Sequence, residues 1–316
     1  MEARAGGLAR AAAAVAAPQT HPAVAAQETP LAAVDWTAPW FDLVRPELDL
    51  VRDDACAGRF DACRARLDAM ARTRGLHNEN GRAVRFVDAV SVATDAYEAH
   101  IWATGEVPTR CAGDGAWHDL FNALVWLAMP RTKARLNRLQ AEVIAREGVR
   151  GVRGGLRDAA TLFDENALLV VTRDARRVQA LRGFDWPALF VSGRARFADQ
   201  VGVAVFGHAL LDKLRAPYKA VCGHAWIVHA DPGDASPADP AGRAALDAGL
   251  APALSAADLR PSAFAPLPVL GIPGWWAPNA DPAFYRDAAV FRPGRRRAHG
   301  RARQDDPAAR TSTGDL

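Results

Sequence analysis

Lysine is scarce in this 316-residue chain: only Lys133, Lys213 and Lys219 stand among 39 basic residues, and the rest are arginine. With alanine also abundant, this pattern follows the codon usage of a GC-rich genome and says little about partners. The formal charge of +3 is too small to imply nucleic acid or a membrane surface by itself. Cysteine is sparse as well. Cys56, Cys63, Cys111 and Cys222 form no CxxC pair, which argues against a cysteine zinc site. Four scattered thiols make no disulfide framework, which suits a reducing compartment. No apolar run approaches the ~20 residues of a spanning helix. The most apolar one, LFNALVWLAM at 120–129, is half that length and is interrupted by Asn122. Also missing are GxxxxGK[ST], a Rossmann glycine run after a strand, GxSxG and HExxH. RGVRGG at 150–155 follows a predicted helix rather than a strand and makes a poor phosphate loop. Glu2 spoils the basic start that a secretory leader needs, so the expected location is cytoplasmic.

What remains is a chain half of whose residues are apolar, enough for a sizeable core. Residues 1–30 are Ala-rich without periodicity and are expected to be disordered, as is the basic tail at 294–316. Residues 31–293 are read as one globular domain. The fold class expected is α+β, predominantly helical. Phe60, Cys63, Leu67 and Met70 set a helix over 60–72. RAVRFVDAV at 82–90 reads as a strand, and 94–105 as a helix closed by Gly105. A buried helix is expected over 114–129, capped by Asp114 and stopped by Pro130. Another follows over 132–147, and the short junction suggests an antiparallel pair. ALLVV at 167–171 predicts a strand, 174–182 a helix, 201–215 a helix, AWIV at 225–228 a strand, and 244–259 a last amphipathic helix. The loop between them at 230–243 is the least ordered inner segment, and APLPVLGIPGWW is extended. Pro282 opens a short helix after Asp281.

Four places carry residue types that can do chemistry. On the buried helix, His118, Asp119 and Asn122 share about a third of the circumference at ~100° per residue. A polar stripe on an apolar helix must face a cavity, a partner network or water, because an unpaired buried polar group costs several kcal/mol. Those residues are acid/base groups or metal ligands, or else they brace the helix start. In VAVFGHALLDKLRAPY (203–218), His208, Asp212 and Arg215 share one face, which is equally the pattern of a solvated face with a His–Asp pair. Gly207, costly inside a helix, suggests a close backbone approach beside His208. Asp164 and Glu165 are adjacent carboxylates before a strand and suit a hard metal, or form a charged turn. Neighbours on a strand point to opposite faces, so only one of them is expected to reach a given site. Arg110, after Val107-Pro108, lies near the start of the buried helix, where it pairs with Asp119 or binds an anion. His224 and His229 flank the AWIV strand and read as structural, while Arg131 and Lys133 either add positive charge near the site or are turned to solvent by their helix.

Several of these segments recur together. VPTR, then W-HDLFNALVWL, then Lys133, Leu136 and Asn137, then RDA-x-TLFDEN, FGHALL and PLPVLG-x-PGW, in that order, resemble the bacterial family called domain of unknown function 3025, over roughly residues 35–293. The resemblance implies one domain and carries no activity, substrate or cofactor onto any residue.

Two functional expectations follow from the residues themselves. One is a metal-assisted, hydrolase-like enzyme, in which His118, Asp119, Asp164, Glu165 and His208 converge on a divalent metal while Asn122 and Arg110 position the substrate. The other is a non-catalytic binding or assembly protein. In that reading the stripe is only a structural hydrogen-bond network, and Trp275, Trp276, Phe284 and Tyr285 form a contact surface. Neither reading calls for a nucleic acid, beyond weak contact by the Arg-rich tail.

Overall fold

The computed structural model describes residues 31–148 and 155–294. The Ala-rich start, the glycine-rich stretch before Gly155 and nearly all of the basic tail lie outside the described residues. The fold is mixed α+β with helix predominating. In chain order the elements are α1 (Arg45–Cys56), α2 (Phe60–Thr73), β1 (Arg85–Asp88), α3 (Tyr97–Thr104), β2 (Glu106–Thr109), α4 (Ala116–Ala128), α5 (Pro130–Glu147), α6 (Gly155–Asn166), β3 (Ala167–Val171), α7 (Ala175–Gly183), α8 (Phe197–Gln200), β4 (Gly202–Val205), α9 (His208–Lys213), β5 (Cys222–Val228), α10 (Pro240–Ala253) and β6 (Ala265–Pro268).

Most of these follow from local chemistry. Gly105 ends α3 at φ +81°, a conformation suited to glycine, and a Cβ there would lie 2.2 Å from the Ala83 carbonyl oxygen. Asp174 caps α7 by accepting from the Arg176 N–H, and Asp239 caps α10 by accepting from the Gly242 N–H. The strand β3 is buried along its whole length, as its unbroken apolar run implies. It lies between β4, to which it is antiparallel, and β5, to which it is parallel; β6 closes the sheet in the order β4-β3-β5-β6. β6 is an edge strand and so tolerates its two prolines. A separate parallel pair, β1-β2, sits between α2 and the start of α4.

Five expectations are corrected. Residues 201–215 are not one helix: β-branched Val203 and Val205 pair with β3, and only the short α9 is helical. The last amphipathic helix runs over Pro240–Ala253 rather than 244–259, because Asp239 and Pro240 start it inside the expected loop. Asp114 does not cap α4, whose cap is Gly115 without a side-chain bond. Pro130 stops α4 and at once begins α5. The two helices scarcely pair: α4 packs on α9 and α2, and α5 on α3, α10 and α6. The helix α1 had no counterpart in the sequence reading. It buries Glu47, whose carboxylate accepts from Arg74 after α2 at 2.8 Å and from Arg243 of α10 at 2.9 Å.

No helix among the described residues is long and apolar enough to cross a membrane. The four cysteines are free.

A candidate metal centre

The last turn of α6 ends in Asp164, Glu165 and Asn166, and the chain then enters β3. Because the two carboxylates belong to a helix turn rather than to a strand, they are ~100° apart instead of opposed. Both therefore reach the same neighbour. That neighbour is His208, the first residue of α9. It is brought there by Phe206 and Gly207, whose N–H groups both donate to the Ala167 carbonyl at 3.0 Å. A Cβ on Gly207 would sit 2.5 Å from the Asn166 backbone and from the Glu165 carbonyl oxygen, so the close approach expected there is real, although Gly207 precedes the helix. From the other side comes α4. It is buried all round except for His118 and Asp119.

These three helices bring His118, Glu165 and His208 together. The Nε2 atoms of the two histidines are 3.1 Å apart. Glu165 Oε2 lies 3.6 Å from His208 Nε2 and 4.0 Å from His118 Nε2. The point in the plane of the three atoms that is equidistant from them is about 2.1 Å from each, close to the length of a bond from zinc to imidazole or carboxylate. Among the described residues, this cluster could hold a metal ion. His208 is 5% exposed, while His118 and Glu165 keep 29% and 31%, so the cluster opens to solvent on the side of those two.

The electrostatics suit ligation. Burial pushes His208 down to about 3, against the opposing pull of Asp164, so the ring is neutral at neutral pH, the form that binds metal. Burial and the neighbouring Asp164 charge raise Glu165. Burial works against the charge on Asp164 too, but the Lys133 ammonium, by its charge and its hydrogen bond, holds the carboxyl below its usual range.

The remaining candidates have other partners. Asp164 Oδ1 accepts from Lys133 Nζ at 2.5 Å, and its Oδ2 lies 3.7 Å from His208 Nδ1. Asp119 accepts from the Arg110 guanidinium at 2.7 and 2.8 Å and from its backbone N–H at 2.7 Å. Asn122 is buried; it donates to the Tyr97 hydroxyl at 3.0 Å and accepts from Lys133 at 2.7 Å. Asp212 pairs with Arg215 and not with His208. His224 lies on β5 and His229 just past it, both outside the cluster.

Sequence reasoning left Lys133 open between site and solvent, and did not single out Tyr97. A signal for Lys133 existed: at i+4, i+7 and i+11 stand Asn137, Gln140 and Ile144, all buried on the inner face of α5. The aromatic stretch near the C-terminus packs inward: Tyr285 is buried, and Trp275, Trp276 and Phe284 lie against the core.

Neither a curated protein nor a solved structure matches the chain. A family match covers residues 84–295, starting later than the resemblance suggested and spanning every residue of the cluster, and the chain thus belongs to the family described as protein of unknown function (DUF3025).

Proposed function

We propose that His118, Glu165 and His208 form a zinc-type metal centre that activates water for hydrolysis. The observation that carries this reading is the convergence of two imidazole nitrogens and one carboxylate oxygen on a point at bonding distance from all three. Two histidines and a glutamate are the three-ligand set of catalytic zinc, which leaves a further position for water and lowers its pKa to ≈ 7. The same donor types also serve non-haem iron, where they occupy one octahedral face. Such a face at a 2.1 Å bond brings donors about 3.0 Å apart, whereas a tetrahedron spaces them about 3.4 Å. The separations of 3.1, 3.6 and 4.0 Å are on average nearer the tetrahedral spacing than the octahedral one.

A second reading keeps the polar groups as a stabilising network only. It draws on the mutual satisfaction of Tyr97, Asn122, Lys133 and Asp164. Metal analysis of the purified protein beside folded His118→Ala and His208→Ala variants separates the two. The metal-centre reading expects about one zinc per chain, abolished in both variants. Wild-type protein that takes up neither zinc nor iron, with variants that lose only stability, would leave the network reading standing.

A further inference from the structure

We infer that Lys133 is a positioning residue for this centre: through Asp164 it fixes which nitrogen of His208 faces the ion. The inference rests on the metal-centre reading above. Lys133 is 4% exposed, and its ammonium is enclosed by Asp164 Oδ1, Asn122 Oδ1 and the Trp126 ring, 5.5 Å from the ring centroid. Asn122 is in turn oriented by the Tyr97 hydroxyl. Lysine occupies one oxygen of Asp164, which leaves Oδ2 as the oxygen that looks toward His208.

The Nδ1 of His208 is buried and has no hydrogen-bond partner, with Oδ2 3.7 Å away. A ring nitrogen beside a carboxylate oxygen is stable there as an N–H and not as a lone pair, since two lone pairs would repel. The proton of neutral His208 therefore resides on Nδ1, and Nε2 presents its lone pair to the cluster. Carboxylate–histidine–metal arrangements of this kind set ligand orientation and basicity.

A consequence follows for His118. Its Nε2 is 3.1 Å from His208 Nε2, which has a lone pair to offer, so in the metal-free protein His118 Nε2 carries the proton and donates it. When an ion binds, His118 must carry its proton on Nδ1 instead, and His208 need not change.

Two measurements test this. The first uses wild-type protein, metal-free, with histidine labelled by ¹⁵N: two-bond ¹⁵N–¹H correlations should show His208 as the Nδ1–H tautomer and His118 as the Nε2–H tautomer. A His208 proton on Nε2 would overturn the inference. The second is calorimetric titration with Zn²⁺ of wild type, Lys133→Met and the double variant Lys133→Met/Asp164→Asn. The double variant removes both buried charges, so it tests ligation without stranding either one. Loss of an outer partner costs about 10–100-fold in metal affinity, and this loss is expected in both variants. A double variant that binds zinc as tightly as wild type would reduce Lys133 to a structural counter-ion and overturn the inference. A wild type that binds no zinc would instead sink the metal centre itself. If neither variant folds, the tautomers of the wild type still decide.

Discussion

At the scale of the residue, Gly207 and Asp119 show how a site is made by exclusion as much as by recruitment. Gly207 has φ −60° and ψ 114°, which any residue adopts, so its requirement is purely steric: the backbone of Glu165 and Asn166 fills the space of a side chain. Gly207→Ala is expected to lower the unfolding free energy by about 1–3 kcal/mol, the usual cost of overpacking. It should also weaken zinc binding, because it pushes His208 away from Glu165. Urea denaturation and zinc titration of the same variant check both. Asp119 carries the opposite expectation. Its oxygens are spent on Arg110, which is half exposed, so Asp119→Ala should leave zinc stoichiometry unchanged and cost about 1 kcal/mol or less. Loss of the metal in Asp119→Ala would return Asp119 to the ligand set.

At the scale of the element, α3 adds a pH dependence separate from the proposed metal centre. Glu98 accepts from Asn137 Nδ2 at 2.7 Å, yet burial, with Asp164 nearby, raises its carboxyl from 4.5 to about 6. A raised acid binds its proton more tightly folded than unfolded. Its protonated form therefore stabilises the fold fully below pH 4.5, and that contribution is lost as pH climbs through about 6. Glu98→Gln keeps the bond to Asn137 and removes the titration. It should be the more stable protein at pH 7, by about 1–2 kcal/mol, and should converge with wild type near pH 4. Parallel pH profiles for the two proteins would refute this.

Elements with periodicity and a stop signal were legible from sequence. Helix α2 shows its apolar spacing, α3 its terminal glycine and β3 its apolar run. Helix α1 was not legible, because Leu48, Val51 and Ala55 are diluted by six charged residues in twelve. The segment at 201–215 misled because its apolar residues fit helical spacing as well as the pairing with β3 that prevails. Of the site, His118, Glu165 and His208 were each visible as polar interruptions, but their meeting depends on Gly207 docking against Asn166. No single-chain periodicity encodes that contact. Lys133 was ambiguous because the charge of a lysine argues for solvent, and only its partner Asp164, 31 residues on, makes burial tolerable.

At the scale of the whole molecule, one apolar cluster runs from Val34 to Phe291, and the three proposed ligands come from helices spread across it. Such a site is absent from the unfolded chain, so bound metal should stabilise the fold by mass action, about 2.7 kcal/mol at a hundredfold excess over Kd. The expected rise in melting temperature is about 5 °C or more with saturating zinc. It should be reversed by a chelator and absent in His118→Ala. A melting temperature indifferent to zinc in wild type would count against the centre.

The position of β3 also matters before the protein is complete. Both of its neighbours, β4 and β5, lie downstream of it in the chain. On the ribosome, Ala-Leu-Leu-Val-Val must emerge with both edges bare and wait for at least thirty further residues before its first partner is whole. An uncharged, β-prone stretch with open edges is an invitation to intermolecular pairing. The nascent chain is thus most in need of a chaperone in the interval between the emergence of Val171 and that of Val205 from the ribosome.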